Sequence, residues 1–178
     1  LVDSGKYDSK CDRLIFLGDY LDRGVDSRLV IKYIRDLQKN NENVIALMGN
    51  HEDMLLEYFE NYERNCSWFY NGYETTVRSY SGYDEEFLDD VEWIEKLPLY
   101  FEDDDFIYVH AGIDVNKPMD KQDRTTLLWT RDDFIYNIKK ASKRVIFGHT
   151  PTFFLNSRDV PVITAGGNID IDTGCVIS

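Results

Sequence analysis

The chain contains three histidines, and each follows an apolar run or the glycine that closes one: Asn50-His51, His110-Ala111-Gly112 and Gly148-His149-Thr150. A lone histidine is most simply a satisfied core or surface residue. Three at equivalent loop positions, with Asp19 at a fourth, point to a gathered site. The densest motif is Gly18-Asp19-Tyr20-Leu21-Asp22-Arg23-Gly24. Its two carboxylates beside an arginine can serve a metal, a proton-transfer partner and an anion, the bland alternative being a salt-bridged turn. Gly49-Asn50-His51-Glu52 is less specific, because Asn50 also suits a helix N-cap and Glu52 a helix N-terminus.

The elements that must position these residues alternate. RLIFL (13–17) reads as a buried strand ending at Gly18, followed by a helix capped by Asp26 or Ser27. That helix carries Val30, Ile31, Tyr33, Ile34 and Leu37 on an apolar face and ends at Asn40-Asn41. NVIALM repeats the pattern up to Gly49, before an amphipathic helix with Met54, Leu55 and Phe59. FIYVH and RVIFGH are two more strands, separated by a helix expected near Arg131 to Lys140. PVIT and NIDI form a closing pair about Gly166-Gly167, and Glu102 to Asp105 a solvated hairpin turn. Residues 61–97, aromatic and acidic, read as short helices capping the sheet. Strand, polar loop and helix in alternation mark an α/β layered fold, whose sites lie at the carboxyl ends of strands.

At 178 residues, the expectation is a single domain over 1–178. Apolar residues make up 43% and charged residues 30%, and no run approaches the ~18 apolar residues a membrane helix needs. The first ten residues lack the layout of a secretory signal, so a cytoplasmic protein is expected. Cys11, Cys66 and Cys175 form no C-x-x-C clip and read as buried small hydrophobes. A net charge of −13 repels a phosphate backbone and argues against general nucleic-acid binding, although bound cations can still recruit phosphate locally.

In order, GDYLDRG, GNHE, HAG, GHT and IDTG resemble the phosphoprotein phosphatase family of calcineurin-like metallophosphoesterases. Bacterial and phage-type serine/threonine phosphatases and symmetrical dinucleoside tetraphosphate hydrolases are the most similar members. WFYNGYETT also resembles a bacterial W-x-x-N-G-G-x-x-T segment, with Tyr73 at the second glycine. The resemblance implies a layered α/β/β/α sandwich and two divalent metal ions, with Asp19 bridging them and Asn50, His110 and His149 completing one shell. Such oxygen and imidazole donors suit manganese, with iron or zinc as alternatives. It further implies His51 as general acid held by Asp22, with Arg23 and Arg131 clamping phosphate. Two metals activate water for in-line attack at phosphorus.

The family's opening Asp-x-His has no counterpart here, since none of Asp3, Asp8 and Asp12 precedes a histidine by two residues. The chain is therefore expected to be a fragment lacking the first and last strands, with only one metal site fully encoded; a natural half-site variant is the alternative. Asp172-Thr173-Gly174 occurs once, whereas aspartic protease chemistry needs two such aspartates. Phosphate-cradling glycine loops are lacking. The leading expectation is a serine/threonine protein phosphatase or broad phosphomonoesterase, acting on a phosphoprotein or small phosphorylated substrate. A dinucleoside tetraphosphate hydrolase and an inactive one-metal module are the alternatives.

Overall fold

The computed structural model describes residues 6–60, 67–80, 82–156 and 160–175. Strands β1 (Leu14–Phe16) and β2 (Val44–Ala46) pair in parallel, Leu14 opposite Val44, with α1 (Ser27–Asn40) as the crossover. Helix α2 (Asn50–Glu60) follows β2, and α3 (Tyr73–Ser79) and α4 (Glu85–Glu95) come next in the chain. The remaining strands form one mixed sheet in the order β3-β4-β5-β7-β6. There β3 (Tyr100–Glu102) runs antiparallel to β4 (Phe106–Val109). β4, β5 (Arg144–Phe147) and β7 (Ile169–Asp170) are mutually parallel, and β6 (Val162–Ile163) is antiparallel to β7. The expected α/β class holds.

Two apolar clusters bury these elements. Ile31, Ile34, Met54, Leu55, Trp68, Tyr80, Phe87 and Ile94 form one, uniting α1, α2 and the 67–97 segment. Ile107, Val109, Val145 and Phe147 of the larger sheet form the other with Leu127, Phe134 and Ile135. Each such side chain contributes about 1.5–3 kcal/mol on burial.

Several expectations need correction. Helix α1 buries only Ile31 and Ile34 among its apolar residues; Val30 and Tyr33 lie about 100° round the helix and stay exposed. Neither proposed cap acts as one. Asp26 makes no side-chain cap bond, and the Ser27 hydroxyl turns instead to the Asp22 N–H and to Thr76. Phe59 is 41% exposed, packed edge-on against Tyr58 and Tyr83 at the border of the aromatic cluster.

The helix expected at 131–140 is only α6 (Asp132–Ile135), because Asn137 Oδ1 accepts the Lys139 N–H at 2.9 Å and turns the chain. Helix α5 (Arg124–Trp129), just before it, was not expected. Cys11 and Cys175 are exposed rather than buried, and Cys66 lies outside the described residues. Among the described residues, no helix is long and apolar enough to cross a membrane.

Candidate metal centre

Asp19 follows β1, Asn50 and His51 follow β2, His110 follows β4 and His149 follows β5, so the carboxyl ends of four parallel-paired strands converge. Convergence across the two sheets depends on two glycines. A Cβ on Gly18 would lie 2.4 Å from the Gly49 Cα, and one on Gly49 would lie 2.4 Å from both Asp19 N and Asp19 Oδ1. Only bare backbone lets the two loops approach this closely. Asp19, Asp22, Arg23 and His149 all adopt left-handed backbone, φ 60–71°, an uncommon and costly conformation for non-glycine residues.

Around His110 Nε2 lie Asn50 Oδ1 at 2.9 Å, His149 Nδ1 at 3.2 Å and Asp19 Oδ1 at 3.4 Å. His110 Nδ1 is 2.7 Å from the Leu17 carbonyl, which only accepts, so Nδ1 donates there and, when the ring is neutral, Nε2 presents a lone pair. Burial, with His110 and Arg131 nearby, drives the His149 pKa down to about 3, leaving that ring neutral. Its Nε2 is buried without a partner among the described residues. Burial opposes charge on Asp19, yet His110, His51 and the His51 N–H outweigh it and hold the carboxyl below its usual range. With His110 neutral, its Nε2 lone pair faces Asn50 Oδ1, the Asp19 carboxylate and the neutral His149 ring, an arrangement that a cation satisfies. The donor set fits a divalent metal, and Asp19, His110 and His149 form a metal-competent group in their own right.

Beside this centre, His51 Nδ1 lies 2.6 Å from Asp22 Oδ2, both side chains being buried. Burial disfavours the charged imidazole, but the Asp22 bond and Asp19 outweigh it and raise the His51 pKa. Nδ1 being engaged, Nε2 is the nitrogen left to give a proton. Arg23 is exposed, its N–H on the Gly72 carbonyl and its guanidinium 3.4 Å from Asn71 Oδ1. Arg131 Nη1 donates to the His149 carbonyl at 2.9 Å and to Thr150 Oγ1 at 3.0 Å, bracing the histidine loop. All eight expected residues therefore lie in or beside one site.

The residues that hold these carry no signal of that role in the sequence. Glu52 was assigned to the helix N-terminus; instead Oε2 accepts the N–H groups of Asp19 and Gly49, each at 2.8 Å, and Oε1 that of Tyr20 at 2.7 Å. Burial and the Asp19 charge push its pKa up to about 7 against those donors. Trp129, 37% exposed, stands edge-on to His149 with ring centroids 6.1 Å apart. Asp53 lies between the Trp129 Nε1 at 3.4 Å and Arg124 Nε at 2.7 Å.

The chain is 29% identical over 197 residues to the asymmetrical bis(5'-nucleosyl)-tetraphosphatase PrpE of Oceanobacillus iheyensis, covering 98% of this chain and 74% of that protein. It is 28% identical over 113 residues to a symmetrical bis(5'-nucleosyl)-tetraphosphatase of Nitrosospira multiformis, covering 64% of this chain and 38% of that one. In fold, a metallophosphoesterase from Sphaerobacter thermophilus superposes with a TM-score of 0.52 at 20% identity, over 90% of this chain and 53% of that chain. The calcineurin-like phosphoesterase profile matches residues 1–175. The chain therefore belongs to the calcineurin-like phosphoesterase family and is a hydrolase of phosphoric ester or anhydride bonds.

Proposed function

We propose that the chain hydrolyses dinucleoside tetraphosphates, cutting a phosphoanhydride by attack of water on phosphorus. The observation that carries the hydrolytic reading is the acceptor cluster of Asp19, Asn50, His110 and His149 directly beside the His51–Asp22 pair. The choice of a nucleotide over a phosphoprotein is supported by relatives named as tetraphosphatases. It is further supported by the half-exposed Trp129, an aromatic wall suited to base stacking beside the metal residues. The protein phosphatase reading accordingly drops behind.

Asp19, Asn50, His110 and His149 hold metal in this proposal. Divalent ions there supply phosphate charge neutralisation and water activation. Manganese suits the donors, as do iron and zinc. Arg23 binds a non-bridging phosphate oxygen, and Arg131 keeps the His149 loop in place. As the bond from phosphorus to the leaving oxygen breaks, that oxygen takes the proton of His51 Nε2, while Asp22 stabilises and orients the imidazole through Nδ1. No covalent enzyme intermediate is needed. A cytoplasmic setting accords with a nucleotide substrate.

The manganese-loaded protein, given diadenosine tetraphosphate and a phosphoserine peptide separately, is expected to show the higher kcat/KM on the dinucleotide. A higher value on the peptide overturns this substrate. Chromatography of the products distinguishes central cleavage, which yields two nucleoside diphosphates, from off-centre cleavage, which yields a monophosphate and a triphosphate.

A further inference from the structure

The residues around Asp22 leave little freedom for its carboxylate. Oδ1 accepts the Thr76 hydroxyl at 2.7 Å and the Trp68 indole N–H at 3.0 Å, and that same N–H lies 3.1 Å from Oδ2. Thr76 Oγ1 also accepts the Asp22 backbone N–H at 2.8 Å. Trp68 and Thr76 are fully buried, each at 0% exposure. With Oδ1 committed, Oδ2 is the oxygen turned to His51, at 2.6 Å.

The same stretch reaches the next residue. Arg23 donates its N–H to the Gly72 carbonyl and its guanidinium to Asn71 Oδ1, each at 3.4 Å. Asn71 is itself tied down: its side chain donates to the Ser67 carbonyl at 2.8 Å and its N–H to the Trp68 carbonyl at 3.0 Å. Gly72 is required at this contact, since a Cβ there would meet the Arg23 backbone nitrogen and Cγ at 2.9 Å.

We infer that Trp68 and Thr76 are positioning residues for proton delivery: the Thr76 hydroxyl selects Oδ1 and so leaves Oδ2 to His51, the Trp68 N–H, shared between both oxygens, pins the carboxylate, and Asn71 and Gly72 in the same stretch hold Arg23. The inference rests on the proposed role of His51 as proton donor. Physically, one clip running from Trp68 to Thr76 sets both the acid and the anion-binding arginine, so neither can drift without the other. A carboxylate deprived of two donors turns about its Cβ–Cγ bond and no longer fixes the imidazole.

Trp68→Phe removes the N–H and keeps a ring; Thr76→Val removes the hydroxyl and keeps the shape; Thr76→Ser keeps the hydroxyl. In the proton spectrum of the whole metal-free chain, the His51 Nδ1–H resonance, shifted downfield by its short bond to Asp22, is expected to move upfield or vanish in the first two and persist in Thr76→Ser. With manganese, kcat on phenyl phosphate is expected to fall about tenfold in Trp68→Phe and Thr76→Val, with under about twofold loss on 4-nitrophenyl phosphate, whose leaving group needs no proton. His51→Asn is expected to steepen that contrast further.

An unmoved resonance, or equal losses on both esters in folded Thr76→Val, overturns the positioning role while leaving His51 as the acid. A His51→Asn variant without the contrast overturns the acid role itself. Thermal melts identify any variant that fails to fold, and the isosteric Thr76→Val then decides in place of Trp68→Phe.

Discussion

The carboxylate of Glu52 accepts the backbone N–H of Asp19 at 2.8 Å, across 33 positions of sequence and from a fully buried site. Two further N–H groups, of Gly49 and Tyr20, complete its shell. One side chain thus ties the loop after β1 to the loop after β2, and with it Asp19 to Asn50. Glu52→Gln replaces one acceptor by a donor facing N–H groups. Manganese affinity, measured by calorimetry or chelator competition, is expected to fall about 10–100-fold, the range typical for loss of a group supporting metal ligands. Unchanged affinity in the folded variant removes Glu52 from that role.

His51→Asn keeps a polar side chain but cannot supply an imidazolium proton. Its kcat on phenyl phosphate is expected to fall by about 10²–10⁴-fold, the usual contribution of general acid catalysis. An unaltered pH profile and kcat would place the proton donor elsewhere.

Trp129→Ala tests the proposed base platform. Loss of one stacked base costs about 1–3 kcal/mol, so the KM for diadenosine tetraphosphate should rise about 5–150-fold relative to that for phenyl phosphate. Quenching of tryptophan fluorescence by adenosine monophosphate should weaken in parallel. A proportional rise in both KM values points to disturbance of His149 instead.

A cation that relieves the facing acceptors should stabilise the fold. Adding manganese to metal-stripped protein is expected to raise Tm with ion concentration, by mass action on the native state. His149→Ala, which takes away one donor, should shrink the shift. A Tm indifferent to divalent ions would contradict the metal centre.

Asp170 governs stability through its proton. Buried in β7, with Oδ2 unpartnered among the described residues, it is pushed by burial up to about 7. The native state therefore keeps a proton that the unfolded chain gives up above its ordinary value near 3.8. Its contribution is fully favourable below about 3.8 and is lost as pH rises to about 7. Asp170→Asn, neutral throughout, should flatten Tm against pH across that window. An identical slope in the variant would assign the dependence to other groups.

The strands that carry the site were legible because each is an apolar run closed by glycine or histidine: β1, β2, β4 and β5 all fall within the expected runs. The β6–β7 pair was legible from its glycines, Gly167 having φ 84°. Less legible was whatever depends on distant partners. Glu52 looks like a helix-start acid until Asp19 is brought against it, and Trp68 like core filling until Asp22 arrives from 46 positions away. The shortness of α6 follows from one side chain, Asn137, capturing the Lys139 N–H where the local pattern still favoured helix.

The left-handed backbone at Asp19, Asp22, Arg23 and His149 sets durability against usefulness. Strain of this kind costs about 1–3 kcal/mol per residue, and glycine, which lacks a Cβ, relieves it at each position. For exposed Arg23, whose backbone bond to Gly72 survives truncation of the side chain, that relief comes with little lost packing. A library of this protein sorted only for heat resistance would therefore drift toward glycine in its working loop and yield a hardier scaffold with no grip on phosphate.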